Sequence, residues 1–349
     1  MKKVLLILAL ALTTSMTFAQ DTPLEISGSG DLYYKYDLSK NANIGTSFAT
    51  DQNSASLGMV AIALKKKTGK TSFVSEVSFG PRGAGQSIPD VGGQSFHIQN
   101  LYASYAATEK LTLTAGYMAT FVGYEVISPL GNLNYSTSYL FTNGPFQNAG
   151  VKANYAFSSK VGLMVGAFND QWNVYKANPA FGLNAFGAQL SLAPVEGLTA
   201  YINFLDGSAS GTIIDLTAAY QITEKFKLGV NAADYSGTAD DTGYNGFAVY
   251  PSYAFSKTFG LALRAENFTA KKNSVYSANG FSTGVTGDES VTALTLSANL
   301  KSGNLTFIPE FRMDSGSKEM FSDSDFITTG NTMATKSASQ VSLAVVYGF

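Results

Sequence analysis

Apolar and polar residues alternate with a period of two along almost the whole chain from about residue 24 onward. A period of two sends successive side chains to opposite faces of a β-strand, so each alternating stretch predicts one strand. The pattern therefore predicts an all-β protein with an even number of strands. Sixteen such stretches occur, at 24–36, 54–66, 70–82, 95–107, 111–127, 148–158, 160–173, 181–193, 198–206, 211–223, 225–236, 244–256, 259–271, 289–301, 304–315 and 337–349.

The connections between these stretches fall into two classes according to their order. After even-numbered strands they are tight, at 67–69, 108–110, 158–159, 194–197, 223–224, 256–258 and 301–303. After odd-numbered strands they are mostly longer and polar, at 37–53, 83–94, 128–147, 174–180, 237–243, 272–288 and 316–336, with the brief 206–210 as the exception. Such segregation is typical of outer-membrane barrels, whose short turns face the periplasm. We therefore expect a closed antiparallel up-and-down transmembrane β-barrel of sixteen strands with long extracellular loops.

A short motif repeats at four of the tight turns. Tyr105, Tyr155, Tyr220 and Tyr253 each precede by three residues a Ser or Thr within the turn. Turns this short join antiparallel neighbours, and aromatic side chains suit a belt at the membrane–water boundary. We expect these four tyrosines to form a periplasmic aromatic rim at one common membrane depth.

Within single strands the alternation separates a lipid face from a lumen face. In 304–315 the charged residues share one parity, and because a charge facing lipid costs about 2–4 kcal/mol at the midplane, that parity is assigned inward. Pro309 removes a ladder hydrogen bond, so we expect a bulge there. In the last strand the alternating residues expected to face outward are Val341, Leu343, Val345, Tyr347 and Phe349. This ending resembles the C-terminal signal that the barrel assembly machinery recognises.

The charged residues at the alternating positions expected to face inward are candidates for lining the pore. Both signs occur, which predicts a wet channel with modest ion selectivity. The alternative is that these charges pair across the wall and only stabilise the barrel. The candidates are Asp31, Lys35, Glu76, Lys152, Asp215, Lys227, Arg264, Glu266, Glu310 and Arg312.

The loop 128–147 is unlike the other loops because it mixes several large apolar side chains with asparagines. A free extracellular loop is expected to be mostly polar, so these apolar groups need a surface to pack on. We hypothesise that the loop folds into the barrel as a constriction, and the rival is an outward loop packed on neighbouring loops. The constriction candidates are Asn132, Asn134, Tyr135, Tyr139, Phe141 and Asn143.

Residues 1–19 have the features of a cleaved signal peptide, with Lys2 and Lys3 before an apolar stretch and Thr17-Phe18-Ala19 before the expected cut. We therefore expect export to the bacterial outer membrane and one barrel domain over 20–349. Removing two lysines and no acid leaves 21 basic and 25 acidic residues, a net charge of −4, which gives no reason to expect nucleic acid as a partner.

Composition offers little support for catalysis. The chain has no Cys and one His, so thiol chemistry is excluded and a His-based metal site or catalytic dyad is hard to build. His97 with Asn100 could suggest a membrane hydrolase, but no Ser in a nucleophile context accompanies them. We expect no catalytic, cofactor-binding or metal site and no enzyme activity.

Three segments resemble the OmpL-like outer-membrane β-barrel porin family: 108–125, 134–155 and Asn304-Leu-Thr-Phe-Ile-Pro-Glu-Phe-Arg-Met-Asp314. The resemblance covers essentially the whole mature chain and implies a porin-like barrel with a passive transport role. Together with the pattern, it predicts a water-filled channel for small hydrophilic solutes, surrounded by outer-membrane lipid. A homotrimer is expected by analogy with sixteen-stranded porins. The alternatives are a structural or adhesive barrel with a plugged lumen and loop-mediated binding, and a barrel hydrolase.

Overall fold

The computed structural model describes residues 22–82, 97–278, 281–324 and 332–349, so the proposed signal peptide at 1–19 lies outside the described residues. Sixteen antiparallel strands form one closed barrel, which confirms the predicted fold. Its strands are β1 (Glu25–Asp37), β2 (Ser54–Thr68), β3 (Thr71–Phe79), β4 (Ile98–Ala106), β5 (Leu111–Ala119), β6 (Gln147–Ala156), β7 (Val161–Phe168), β8 (Ala185–Leu192), β9 (Leu198–Gly207), β10 (Gly211–Gln221), β11 (Phe226–Ser236), β12 (Gly243–Ala254), β13 (Phe259–Ala270), β16 (Ser290–Ser302), β17 (Leu305–Gly316) and β20 (Ser337–Gly348).

Each strand pairs with its neighbours in chain order, and the barrel closes where β1 meets β20. The closing register runs from Ser29 opposite Gly348 to Asp37 opposite Gln340. Closure leaves no unpaired sheet edge, which is the condition for a β-structure to cross a bilayer.

The long connections carry the remaining elements. Between β5 and β6 lie one 3₁₀ turn, Pro129–Gly131, and the short helix α1, Tyr139–Asn143. Two small hairpins occupy other loops: β14 (Val275–Ala278) with β15 (Phe281–Thr286), and β18 (Phe321–Ser324) with β19 (Thr332–Thr335). No helix in the described part of the chain is long and apolar enough to cross a bilayer.

The predicted strand 111–127 is too long, because β5 ends at Ala119. Beyond it the backbone leaves the sheet: Gly123 has a φ of 90°, and its N–H donates to the Asp215 carboxylate at 3.1 Å across the lumen. Residues 120–146 therefore form one continuous inserted segment, which we call the lumen segment.

The repeated motif at the tight turns has a local explanation. The Thr223 hydroxyl accepts hydrogen bonds from the N–H groups of Lys225 and Phe226, at 3.3 and 3.0 Å, and Ser256 repeats this with Thr258 and Phe259. A hydroxyl that satisfies two exposed backbone donors is a good turn-forming device. The structure places Tyr105, Tyr155, Tyr220 and Tyr253 next to last in β4, β6, β10 and β12, all at the end of the barrel that carries the tight turns.

The expected bulge at Pro309 is wrong. Pro309 stays paired opposite Leu343, and β17 keeps one register with both neighbours, although its pairing with β16 is interrupted at Ile308 and Pro309. Since the missing N–H removes one bond and changes no geometry, the strand tolerates the loss. Register shifts occur instead near Gly30 in β1 and near Glu76 in β3.

The outer wall is apolar and exposed, as a lipid-facing surface requires. On β20 the outward parity is Val341, Leu343, Val345 and Tyr347, with Phe349 following, while the intervening Ser342, Ala344 and Val346 are buried inside. The other parity faces the lumen throughout, and the candidate site is built from it.

Candidate functional site

The ten charged candidates all lie on the inner parity of their strands, but they divide into two groups by exposure. Glu76, Lys152 and Lys227 are partly exposed. The other seven are at most 7% exposed, because the lumen segment or, for Lys35, loop 38–53 covers them: Asp31, Lys35, Asp215, Arg264, Glu266, Glu310 and Arg312.

The lumen segment runs from one side of the barrel interior to the other. Near its start, Phe121 packs on Phe168 of β7, and Tyr124 stacks on Tyr250 of β12 with 4.5 Å between ring centroids. Its 3₁₀ turn reaches the far wall, where Leu130 lies against Gly348 near the tight-turn end of β20. The segment therefore spans the lumen in both width and depth.

Two carboxylates of the barrel wall clamp the segment's backbone. Glu266 on β13 accepts the N–H groups of Tyr139 and Leu140 at 2.9 and 2.8 Å. Glu310 on β17 accepts those of Tyr135 and Ser136 at 2.7 and 3.1 Å. Tyr139 and Leu140 begin α1, whose first N–H groups have no partner within the helix, so Glu266 satisfies donors that the fold would otherwise bury unpaired.

Two arginines hold the same segment through its carbonyl groups. Arg312 forms a forked ion pair with Asp314, at 2.8 and 2.9 Å, and donates to the Thr137 carbonyl at 2.8 Å. Arg264 forms an ion pair with Glu125 of the segment at 2.8 Å and donates to the Ser136 carbonyl at 2.6 Å. Each arginine thus satisfies a carboxylate and a backbone oxygen together, which its planar donor geometry permits.

Tyrosine hydroxyls add two further anchors. Tyr135 donates to Asp31 on β1 at 2.6 Å, and Tyr139 donates to Asp314 on β17 at 2.8 Å. Arg82 lies within 3.6 Å of Asp31 and stacks over the Tyr135 ring at 4.6 Å. Asp31, like Glu266 and Glu310, therefore contacts the segment directly.

The remaining constriction candidates have different partners. Asn134 donates to Ser297 of β16 at 2.7 Å, while Asn132 only links back to Val126 within the segment. Phe141 is buried beside Phe48 and Phe146, and Asn143 donates to the Tyr139 carbonyl at 2.8 Å inside α1. The apolar residues do not all find a packing surface, since Leu130 and Leu133 remain 42% and 39% exposed.

A second loop, 38–53, covers the segment on the long-loop side. Its Ser47 N–H donates to the Thr142 hydroxyl at 2.8 Å, and Phe48 packs on Phe141 and Phe146. Phe48 has a φ of 72°, a left-handed conformation that costs a non-glycine residue about 1–2 kcal/mol. The strain is retained because the surrounding contacts fix this backbone.

Two parts of the inner surface differ clearly. In the covered wall, formed by β13, β16, β17, β20 and β1, every strand contacts the lumen segment. The open wall, formed by β3 to β6, keeps partly exposed polar side chains. These include Glu76, which accepts a hydrogen bond from Asn100 at 2.7 Å, and Lys152.

Sequence reasoning missed several residues that build this site. The alternation places Glu125 in a strand, although it is the ion-pair partner of Arg264 inside the lumen. It gives Asp314 no role beyond the inner face of a strand, and it predicts an ordinary extracellular loop at 37–53. Only the charge of Glu125, just before an apolar loop, could have signalled an anchoring role.

A closed sixteen-stranded barrel with a long loop folded into its lumen defines the class of outer-membrane porins. The family model described as "Putative beta-barrel porin-2, OmpL-like" matches residues 23–349. The chain belongs to this family, and it is an outer-membrane porin channel. No curated protein sequence matches the chain.

Solved structures with the same fold are outer-membrane proteins and porins of low sequence identity. The outer membrane channel DcaP of Acinetobacter baumannii is 10% identical with a TM-score of 0.60, covering 93% of this chain and 97% of DcaP. The anion-selective porin from Comamonas acidovorans is 12% identical with a TM-score of 0.60, covering 95% and 100%. OmpT of Vibrio cholerae in its trimer form is 12% identical with a TM-score of 0.58, covering 94% and 99%. At this identity the similarity establishes the fold alone.

Proposed function

We propose that the protein is a passive diffusion pore for small hydrophilic solutes and that the lumen segment is its constriction. The observation that supports this is the double clamp by Glu266 and Glu310, which holds a long loop across the lumen from within the barrel wall. A fixed loop narrows a sixteen-stranded barrel, which is otherwise wide enough for an aqueous channel. The open wall supplies the polar surface that a hydrated solute would pass.

Single-channel recording in planar bilayers tests this proposal. The purified protein should give stepwise, ohmic conductance. Deleting residues 131–144 should raise the unit conductance, because the deletion removes the end of the 3₁₀ turn and all of α1 from the lumen. Deleting residues 238–241, in the exposed loop between β11 and β12, is the matched control and should leave conductance unchanged.

A barrel with a plugged lumen is the second candidate, and one observation favours it. Phe48, Phe141 and Phe146 form a buried aromatic cluster on the long-loop side of the segment. If this packing closes the lumen, the wild-type protein should seal bilayers at every voltage and only the 131–144 deletion should conduct. That result would reject the diffusion pore and would favour a structural or adhesive role in which the loops bind the partner.

The proposal extends to assembly and targeting. Residues 1–19 would direct export, and the outward parity of β20, Val341 to Phe349, would be read by the barrel assembly machinery. Lipid would surround the apolar outer wall, with Tyr105, Tyr155, Tyr220 and Tyr253 at its periplasmic boundary. The OmpT neighbour is described in a trimer form, and we extend a homotrimer to this chain. Light scattering of the detergent-solubilised protein should give a protein mass three times that of one chain. The mass of a single chain would contradict the homotrimer.

The proposal includes no catalytic activity. His97 packs against the Phe79 ring with 4.8 Å between centroids, and the described residues hold no cluster of three or more metal-ligating side chains. Replacing His97 with alanine should therefore leave the conductance intact.

A further inference from the structure

Basic side chains concentrate at the tight-turn end of the barrel. At the tight turns and the start of β1 the described chain carries nine lysines and only four glutamates, apart from the inward-facing Lys227. Most of these side chains are exposed. The lysines are Lys65, Lys66, Lys67, Lys70, Lys110, Lys160, Lys225, Lys257 and Lys301, and the glutamates are Glu25, Glu109, Glu196 and Glu224.

The long-loop end has the opposite balance. There the described residues include eleven acids against six lysines and one arginine. The overall charge, which is close to balance, therefore hides a division along the barrel axis. The acids are Asp37, Asp51, Asp170, Asp206, Asp234, Asp240, Asp241, Asp288, Glu289, Glu319 and Asp323, and the basic residues are Lys40, Arg82, Lys176, Lys271, Lys272, Lys318 and Lys336.

Two lysines continue the basic end into the lumen. Lys227 is the second residue of β11 and faces inward just inside the turn, while Lys152 faces inward further along β6. Neither ammonium group forms an ion pair or a hydrogen bond within the part of the chain that the structure describes. Both are partly exposed, so their charge is available to a solute.

The inward carboxylates are less available. On the covered wall Glu266 and Glu310 each accept two backbone N–H groups, and Asp314 is paired with Arg312. Asp215 is 1% exposed and accepts from Asn203, Asn231 and the Gly123 N–H. On the open wall only Glu76 opposes the lysines, and Asn100 already donates to it.

We propose that the tight-turn mouth and the open wall form a pathway selective for small anions, with Lys152 and Lys227 as its specificity-determining residues. The inference rests on the proposed function, because it requires an open pore. A mouth with an excess of one sign of charge raises the local concentration of the opposite ion, and unpaired charges inside a low-dielectric lumen act more strongly than charges in water. The chemical class is monovalent inorganic anions and small carboxylates.

The reversal potential in a KCl gradient across a planar bilayer measures this preference. Wild-type channels should favour chloride over potassium. The double variant Lys152→Gln, Lys227→Gln should lower the chloride-to-potassium permeability ratio by about twofold or more. The wild-type preference should also weaken between about 0.1 M and 1 M salt, where the screening length falls from about 10 Å to about 3 Å.

The matched control is Lys271→Gln, Lys318→Gln, which removes the same charge at the long-loop end from lysines paired with Asp234 and Glu289. It should leave the permeability ratio unchanged. Ohmic conductance without anion preference, or an unchanged ratio in the Lys152 and Lys227 variant, would overturn this inference and leave the pore intact. A wild-type protein that never conducts would instead overturn the proposed function.

Discussion

The covered wall and the open wall are made of the same alternating strands, yet their charged residues are in different situations. On the covered wall every charge named above has a partner. Arg312 is paired with Asp314 of its own strand and donates to the Thr137 carbonyl of the lumen segment, and Lys35 donates to the Thr50 carbonyl of loop 38–53. On the open wall Lys152 forms no ion pair within the described residues. Strands with the same alternating pattern can therefore carry structural charges on one side of a barrel and solute-facing charges on the other.

The largest expected effect on stability comes from comparing two variants, Arg312→Met on the covered wall and Lys152→Met on the open wall. Removing Arg312 leaves Asp314 buried without its ion-pair partner, a change that typically costs about 3–5 kcal/mol. Removing Lys152 leaves no buried charge behind and should cost less than about 1 kcal/mol. Reversible urea unfolding in lipid vesicles measures both free energies. Equal losses would show that the two walls do not differ as described.

A smaller effect is expected from loosening the backbone clamp. The N–H groups of Tyr135 and Ser136 donate to different oxygens of Glu310. In Glu310→Gln one of these oxygens becomes an NH₂ group, which cannot accept, so about 1–3 kcal/mol of local stability should be lost. The segment should then move more, and single-channel recordings should show more frequent current fluctuations. Glu76→Gln is the control, because its only hydrogen-bond partner in the described structure, Asn100, lies on the open wall. Fluctuations in the Glu76 variant alone would argue against a clamp at Glu310.

The smallest expected effect on stability concerns the buried carboxylate of Asp170, which lies in a loop outside both walls. Burial acts to raise the pKa of Asp170, but hydrogen bonds from Ser210, Ala209, Ser208 and Gln171 outweigh it, so the pKa lies below its usual value. Because the folded pKa is the lower one, this carboxylate stabilises loop 169–184 above the unfolded pKa of about 3.9. That contribution is lost as the pH falls through the folded pKa.

Hydrogen exchange of loop 169–184 checks this expectation. Protection should be high at pH 7 and should fall in Asp170→Asn, at a cost of about 1 kcal/mol. The loss should be much smaller than in Arg312→Met, because neutral donors rather than an opposite charge compensate Asp170. If the variant keeps full protection at pH 7, the hydrogen bonds at Asp170 do not hold this loop.

Much of the fold could be predicted because the physical constraints on it are local. A lipid face and a polar lumen impose a period of two on every strand, and the Thr and Ser caps, such as Thr223, mark the turns within a few residues. The misplaced end of β5 shows where local pattern fails. Residues 120–127 alternate well enough to extend a strand, but Glu125 and Gly123 find better partners in Arg264 and Asp215 across the lumen.

The candidate site was less predictable because its contacts join distant parts of the chain. The hydrogen bond from Leu140 to Glu266 spans 126 residues, and that from Tyr135 to Glu310 spans 175. No local spacing encodes such pairs. The apolar composition of 128–147 indicated an unusual loop, but it could not show which wall the loop would meet.

The number of barrel strands, the inward and outward faces and the end of the barrel that carries the tight turns follow from the order of residues, since each depends on neighbours along the chain. The same order contains the concentration of lysines beside those turns, which becomes visible once the turns are assigned. Which inward charges are sealed beneath the lumen segment, and which face the open lumen, depends instead on the folded barrel. That choice depends on how a long loop fits a curved wall, because burial and pairing are properties of residues brought together by the closed barrel.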